Sequence, residues 1–179
     1  MPAPTLCHFE IAMNHVDRGI EQTLTLRIAQ HPSETSQRVW LRVLAYVWRY
    51  EERLEFTSGL SDPELPDLIE KDLTGQMRQW IRVGKARAGK VQRAIDQNSD
   101  AQVSVLFESP AQLKAFRDDA TAEKVTRLHK AELRTVDPAL LVSLARGDER
   151  RAKAFTTFVG DHFYIEKDGT SMDGPLRLE

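Results

Sequence analysis

Two segments near the start of the chain place an apolar residue at every second position, and this pattern restricts the fold more than any other feature. In residues 5–13 and again in residues 24–28 every second side chain is apolar: Cys7, Phe9, Ile11 and Met13, then Leu24, Leu26 and Ile28. Successive side chains of a strand point to opposite faces, so each segment predicts a half-buried strand. The polar stretch between them, with Arg18-Gly19, predicts a turn. The sequence therefore predicts an N-terminal β-hairpin with one face on the core.

Downstream, helical and strand patterns follow one another. Helices are predicted to begin at Ser33, Lys85, Pro110 and Pro138 and to end near residues 50–52, at Ile95, near Arg117 and at Gly147. Strands are predicted over residues 54–57, 77–83, 102–107 and 131–136. Ser33 is expected to cap the first helix and Asp137 the last, because both side chains can accept a hydrogen bond from a free helical N–H group.

The last 25 residues predict a C-terminal β-hairpin. Strands over 155–159 and 163–166 flank Gly160-Asp161-His162, Asp168-Gly169 is a second turn signal, and residues 176–178 can add an edge strand. The fold class that follows is α+β, a mixed β-sheet with flanking helices and a β-hairpin at each end. At 179 residues, without a linker or a repeat, the chain predicts a single domain over 1–179.

Composition limits the classes of function. The net charge of −2 gives no global field that would attract nucleic acid or a membrane, so any binding of a polyanion needs a local patch. Cys7 is the only cysteine, which excludes an internal disulfide and fits a reducing compartment. We expect a cytoplasmic protein, because the N-terminus does not resemble a signal peptide and no apolar run approaches the length of a membrane span.

An acidic segment and a basic segment are the two candidate sources of chemistry. Ser61–Asp72 holds five carboxylates against Lys71 alone, and clustered carboxylates can bind magnesium. Composition by itself favours the other interpretation, a solvated acidic loop. The run from Arg78 to Arg93 contains six cations and no acid. A phosphate could bind there, because Gly84 precedes a helix whose first N–H groups attract anions. The simpler interpretation is a solvated helix that balances the acidic segment.

Four segments resemble the YaeQ family of small bacterial proteins, and the resemblance covers residues 18–97 well. They are residues 24–35 with His31-Pro32-Ser33-Glu34-Thr35, Arg38 with residues 42–46, residues 52–56 with Gly59-Leu60, and Trp80-Ile81-Arg82-Val83-Gly84. The resemblance implies a variation of the PD-(D/E)XK fold, the restriction-endonuclease-like fold, and the predicted order of elements agrees with it. In active members of that wider fold, two acids on adjacent strands hold magnesium and a nearby lysine positions or activates water.

The chain departs from the family pattern where that chemistry would be expected. Leu65 replaces one acid of the usual pair before proline, Arg82 replaces the usual glutamate, and Ala86 replaces the usual proline. A guanidinium cannot hold a metal and would compete with it for Glu64 or Asp67. We therefore predict an ion pair between an acid and Arg82 in place of a metal, with no metal or cofactor expected.

Three functional hypotheses follow. The first is a non-catalytic protein that binds nucleic acid or a protein partner through Arg78, Arg82, Lys85 and Lys90 and through a face with Arg38 and Arg42. The second is a metal-dependent phosphodiesterase or nuclease that uses Glu64, Asp67 and Lys71 with magnesium. The third is a structural or protein-interaction module. Calorimetry with magnesium separates the first two, since only the phosphodiesterase requires metal binding.

Overall fold

The secondary structure is given by a computed structural model that describes residues 3–58, 62, 64–147 and 150–179. Within these residues the elements follow in the order β1 (Thr5–His15), β2 (Ile20–Gln30), α1 (Ser36–Trp48), β3 (Glu55–Phe56), β4 (Leu68–Lys71), β5 (Met77–Val83), α2 (Ala88–Gln97), β6 (Gln102–Phe107), α3 (Pro110–Ala122), β7 (Ala131–Val136), α4 (Pro138–Leu144), β8 (Arg151–Val159), β9 (His162–Lys167) and β10 (Thr170–Leu178). The chain is therefore α+β, as the sequence predicts.

The elements divide into two compact units. The first unit takes the residues up to 49 together with 136–177, and the second takes residues 50–135 with 178–179. Each unit combines β-strands with two of the helices. The single domain over residues 1–179 stays a prediction.

In the first unit the predicted N-terminal hairpin is confirmed. β1 and β2 pair antiparallel, with Cys7 opposite Ile28 and Ile11 opposite Leu24. The seven apolar side chains of the predicted alternating pattern are buried, from Cys7 to Met13 in β1 and from Leu24 to Ile28 in β2. The strand order continues as β2-β1-β8-β9-β10, and β8 lies parallel to β1 while the other pairs are antiparallel.

The C-terminal hairpins are also confirmed, and the geometry of their turns explains why Gly and Asp occupy them. Gly160-Asp161 joins β8 to β9, and Asp168-Gly169 joins β9 to β10. All four residues have positive φ angles of 52–72°. A two-residue type I′ turn requires positive φ at both positions, which Gly and Asp tolerate better than other residues.

Helix α1 buries two arginines together with its apolar side chains. Trp40 packs edge to face on Phe9 of β1, with ring centres 5.0 Å apart. Arg38 and Arg42 are also buried, with 8% and 1% of their surface exposed. The buried Glu34 carboxylate makes ion pairs with both, and Arg42 donates to the Ala29 carbonyl. A buried charge is tolerated only when it is paired. The negative charge of Glu34 therefore compensates the burial of both guanidinium groups.

The predicted start of α1 is wrong. The helix begins at Ser36 with Thr35 as its cap, because the Thr35 hydroxyl accepts the Arg38 N–H. Ser33 instead lies 2.7 Å from Nδ1 of His31, in a turn closed by the Glu34 N–H donating to the His31 carbonyl. The turn is favoured because it brings the Glu34 carboxylate to the arginines.

A buried lysine closes the end of α4. The Lys167 ammonium donates to the carbonyls of Leu144 and Arg146 and lies 5.4 Å from the centre of the Trp40 ring. A cation is stabilised at a helix C-terminus, where unpaired carbonyls carry partial negative charge. The N-terminal cap of the same helix is the predicted Asp137, which accepts from the Ala139 N–H at 2.9 Å.

The second unit is built on the strand order β7-β6-β5-β4-β3. β5, β6 and β7 run parallel, and β4 lies antiparallel to β5. One face of these strands packs against α2 and α3 in a core that includes Trp80, Val91 and Phe116. The three parallel strands were predicted with their observed boundaries.

In the second unit one strand was missed and several boundaries differ from prediction. Strand β4 was missed because it lies inside the acidic segment, where charge obscures a short apolar pattern. Helix α2 begins at Ala88 instead of Lys85, since Gly84 has a positive φ of 73° and Arg87 is still extended. Helix α3 continues to Ala122, beyond the predicted end near Arg117. The predicted strand break at Gly59 lies outside the described residues, as do Leu60, Ser61 and Pro63.

We predict that Glu34→Gln lowers the free energy of unfolding by about 3–5 kcal/mol, because two buried guanidinium groups lose their compensating charge. Urea denaturation would measure the change. The control is Asp118→Asn, which removes the acid of the exposed i,i+4 pair with Lys114 and should alter stability by less than about 0.5 kcal/mol. Equal effects of the two variants would show that the Glu34 cluster does not stabilise the first unit.

Candidate functional site

Strand β5 directs an aromatic ring and a guanidinium toward the same side of the second unit. Trp80 and Arg82 are two residues apart on a strand, so their side chains share a face. Trp80 packs into the core formed with α2 and α3. Arg82 extends from the same face near the end of the strand and is 17% exposed at its side chain.

The ion pair predicted for Arg82 is confirmed, and its partner is Asp67. Arg82 Nε lies 3.7 Å from Asp67 Oδ2, and the Asp67 side chain is fully buried. The same carboxylate oxygen accepts the Val83 N–H at 2.9 Å, while Arg82 Nη1 donates to the Leu65 carbonyl at 3.0 Å. Arg82 therefore binds both a buried acid and the backbone of the segment before β4.

Glu64 is placed differently from Asp67. It is 65% exposed and makes ion pairs with Lys90 at 2.8 Å and Arg93 at 3.7 Å, both on α2. The Lys90 ammonium, through its hydrogen bond and its charge, holds the pKa of the Glu64 carboxyl below its usual value, and Arg93 adds to this effect. Glu64 is thus an ionised carboxylate held against two cations.

A cavity of about 1120 Å³ lies beside these groups, entirely within the second unit. Five cations line it, one from β5 and four from the segment that leads into and forms α2: Arg82, Lys85, Arg87, Lys90 and Arg93. Its lining also includes two acids, Glu64 and Asp119. We call it the cation-lined cavity. It provides the local positive patch that the overall charge of −2 does not reveal.

The predicted anion site at the start of the helix after Gly84 is not available in this structure. The first amides of α2 already donate to acids of α3, Ala88 to Asp119 at 3.2 Å and Gly89 to Glu123 at 2.9 Å. These carboxylates compensate the partial positive charge of the helix N-terminus. Anion binding in the cavity would therefore depend on side chains.

The other predicted residues lie apart from this cavity. Arg78 pairs with Asp72 at 2.9 Å, and the pKa of Asp72 is lowered to about 2, chiefly by a hydrogen bond from the Thr74 hydroxyl. Lys71 is exposed on β4 and does not line the cavity. Arg38 and Arg42 are buried with Glu34 in the first unit, so they do not form the exposed face that was expected.

The three residues of the phosphodiesterase hypothesis lie in different environments and do not form one site. Asp67 is buried with Arg82, Glu64 is paired with cations of α2, and Lys71 lies at the surface. Among the described residues, no group of three or more His, Cys, Asp or Glu side chains is arranged to hold a metal ion.

In the same part of the chain, no helix has the length and apolarity needed to cross a membrane.

Sequence analysis missed the contribution of α3 to the cavity. Ala111, Ala115 and Phe116 line it together with Gln112. The alanines are four residues apart and so share a helical face, which is a signal for close approach of another group. That signal is weak alone, because alanine is also the residue that favours helices most.

These features define an α+β protein with mixed strands, whose candidate site is a cation-lined cavity beside an ion pair between Arg82 of β5 and Asp67, which precedes β4. The chain belongs to the YaeQ family, whose model, described as YaeQ protein, matches residues 2–174. The family predicted from the four sequence segments is therefore confirmed.

Bacterial relatives support this assignment. A Salmonella typhi relative described as uncharacterized protein YaeQ is 34% identical over 99 residues, which is 55% of this chain and 54% of the relative. The Escherichia coli K12 protein of the same description is 31% identical over 99 residues, with the same coverage. The chain thus spans about half the length of the curated relatives it matches.

Solved structures resemble the chain over almost its whole length. The crystal structure of the YaeQ protein from Pseudomonas syringae has a TM-score of 0.88 and 27% identity, and the match covers 98% of this chain and 95% of that one. The YaeQ protein from Xanthomonas axonopodis pv. citri gives a TM-score of 0.86 at 24% identity, covering 98% and 97%. At 24% identity the latter similarity concerns the fold alone.

We predict that Arg82→Ala destabilises the protein by about 1–3 kcal/mol, because the buried Asp67 carboxylate loses one of its partners. Arg82→Lys is the matched control, since it retains the positive charge and should lose less. Thermal unfolding of both variants would measure the difference. An unchanged unfolding temperature in Arg82→Ala would contradict a stabilising role for the Asp67–Arg82 pair.

Proposed function

We propose that this protein binds nucleic acid at the cation-lined cavity and does not cleave it. The observation that carries the proposal is the convergence of five cations from β5 and the α2 region on one cavity that contains only two acids in its lining. Phosphate groups are the anions that such a set of arginines and lysines suits, because arginine can bind phosphate through two parallel hydrogen bonds.

The occupied carboxylates support a non-catalytic role. A magnesium ion needs several oxygen ligands in an octahedral arrangement. Asp67 already accepts the Val83 N–H and faces Arg82, and Glu64 is held by Lys90 and Arg93. A metal would have to displace a guanidinium from the first carboxylate and two cations from the second. We infer that these contacts replace metal chemistry.

The order of elements in the second unit supports a nuclease-like origin for this arrangement. β4 and β5 form an antiparallel pair, α2 follows, and β6 then lies parallel to β5. Asp67 directly precedes β4, and Arg82 is near the end of β5. We propose that the fold is a variation of the restriction-endonuclease-like fold in which Arg82 stands at a position that would otherwise carry a metal-binding acid.

The proposed setting is the cytoplasm, where nucleic acid is accessible and thiols stay reduced. Cys7 is a buried cysteine in the first unit that forms no disulfide, which is compatible with that setting. A protein partner with an acidic surface is the other occupant that this charge pattern could accept. Salt-dependent binding of nucleic acid is the property that distinguishes them experimentally.

We predict that the protein is retained on immobilised DNA or RNA at low salt and that the triple variant Arg82→Glu/Lys85→Glu/Lys90→Glu is not. If the three cations contact phosphates, their loss should also reduce the slope of log K against log salt by about 2–3. Fluorescence anisotropy at several salt concentrations would measure both effects.

The control variant is Lys114→Glu/Arg117→Glu/Lys130→Glu, which changes the net charge equally at three exposed positions outside the cavity lining. It should reduce binding much less. Equal losses in the two triple variants would show that the overall charge, and not the cavity, determines binding. If the unmodified protein is not retained at low salt, the proposal fails and a protein-interaction role takes its place.

We also predict that Glu64→Gln binds nucleic acid roughly two- to fivefold more tightly, because an exposed carboxylate no longer competes with phosphate for Lys90 and Arg93. Glu132→Gln is the control, since this acid pairs with Arg134 outside the cavity lining and should leave affinity unchanged. Weaker binding by Glu64→Gln would contradict the competition.

A further inference from the structure

The floor of the cation-lined cavity is apolar. Trp80 and Phe116 contribute aromatic rings, and Val91 and Ala94 of α2 contribute aliphatic groups. Trp80 retains 8% exposure although it belongs to the core. Phosphates of a nucleic acid backbone would need only the cations, whereas a planar ring could also use the apolar part of the lining.

The polar groups beside this floor are of the kind that pair with the edges of a nucleobase. Gln97 of α2 and Gln112 of α3 line the same cavity. The amide of Gln97 carries both donor and acceptor atoms, which match the donor and acceptor pattern of a base. The Gln112 oxygen already accepts the Glu108 N–H at 2.9 Å, so this side chain offers its amide donors. Cations, an aromatic surface and amides thus lie within one cavity.

The size of the cavity agrees with this chemistry. Ligand cavities for small molecules usually measure about 300–1,000 Å³. At about 1120 Å³ the cation-lined cavity has room for a complete nucleotide, with a planar ring as well as its sugar and phosphate. An inorganic anion would occupy only a small part of it.

We infer that the cavity takes a nucleoside phosphate, with the base against the exposed part of the Trp80 ring and the phosphate at the cations around Arg82. This inference rests on the proposed function and goes beyond it, because it assigns a single nucleotide to the cavity instead of a stretch of backbone. The ligand can be a free nucleotide or the phosphorylated end of a single strand. Stacking of a base on an aromatic side chain is a sequence-tolerant interaction, so any base could occupy the floor.

The first experiment measures binding of adenosine 5′-monophosphate, adenosine and inorganic phosphate to the whole protein by calorimetry and tryptophan fluorescence. We expect the monophosphate to bind about tenfold or more tightly than either fragment, because it alone uses both the floor and the cations. Its binding should quench the fluorescence of Trp80, and Trp80→Phe should lose the quenching. Equal affinity for monophosphate and phosphate would overturn the inference.

A second arm identifies the source of the nucleotide. Single-stranded oligonucleotides with and without a 5′-phosphate are compared with the free monophosphate. Tighter binding of the phosphorylated strand than of the free nucleotide indicates a strand end as the ligand, and the reverse indicates a free nucleotide. Equal and weak binding of all three would overturn the inference.

The decisive variant is Ala115→Phe, which fills the cavity from an exposed position of α3 without removing a cation. It should bind adenosine 5′-monophosphate about tenfold or more weakly. Ala122→Phe is the matched control on the same helix, outside the cavity lining, and should bind like the unmodified protein. Circular dichroism checks the fold, and Ala111→Phe repeats the test from a second exposed position.

The outcomes separate the two proposals. Retention on nucleic acid without any binding of the monophosphate overturns the nucleotide site and leaves nucleic acid binding intact. If the unmodified protein is not retained on nucleic acid and does not bind the monophosphate, both proposals are overturned. Unchanged monophosphate binding in Ala115→Phe and Ala111→Phe places the nucleotide outside this cavity and overturns the inference.

Discussion

The pairing of Arg82 with the buried Asp67 is the interaction on which the candidate site depends. It joins the segment before β4 to the end of β5 and gives the Asp67 carboxylate a charge partner. A buried carboxylate without compensation would be costly, so a second acid at position 82 would require a cation from elsewhere. With arginine there, the protein supplies the positive charge itself. The site therefore presents a guanidinium beside the buried acid.

Acids and arginines meet in both units, with different consequences. In the first unit Glu34 is buried between Arg38 and Arg42, and all three charges are withdrawn from solvent. In the second unit Glu64 remains exposed and only covers Lys90 and Arg93. The buried cluster stabilises the first unit, whereas the exposed contacts can exchange with an external anion. Burial decides which arginines are structural and which remain accessible to a ligand.

The distribution of charge also explains how an acidic protein can present a cationic cavity. The net charge is −2, yet several acids of the second unit already bind nearby backbone amides or cations. Asp119 and Glu123 cap the first amides of α2, and Asp72 holds Arg78 at the β4–β5 turn. Because these carboxylates are already paired, the cations of the α2 region dominate the cavity. Average composition therefore gives no measure of the local field.

The sequence by itself determined the periodic elements, the turns of the terminal hairpins and the family, and it predicted an acid paired with Arg82. Strands over 77–83, 102–107 and 131–136 were predicted with their observed ends, because apolar pattern and turn residues are local signals. Only the tertiary structure decided which acid pairs with Arg82, that Arg38 and Arg42 are buried, and that α3 completes the cavity. The Asp67–Arg82 pair and the lining from α3 depend on contacts between residues far apart in the chain. Arg38 and Arg42 are close to Glu34 in sequence, but their burial depends on how α1 packs, and the free energy of pairing the charges then outweighs the local preference for solvent. Thr35 caps α1 because Glu34 is drawn inward by these two arginines.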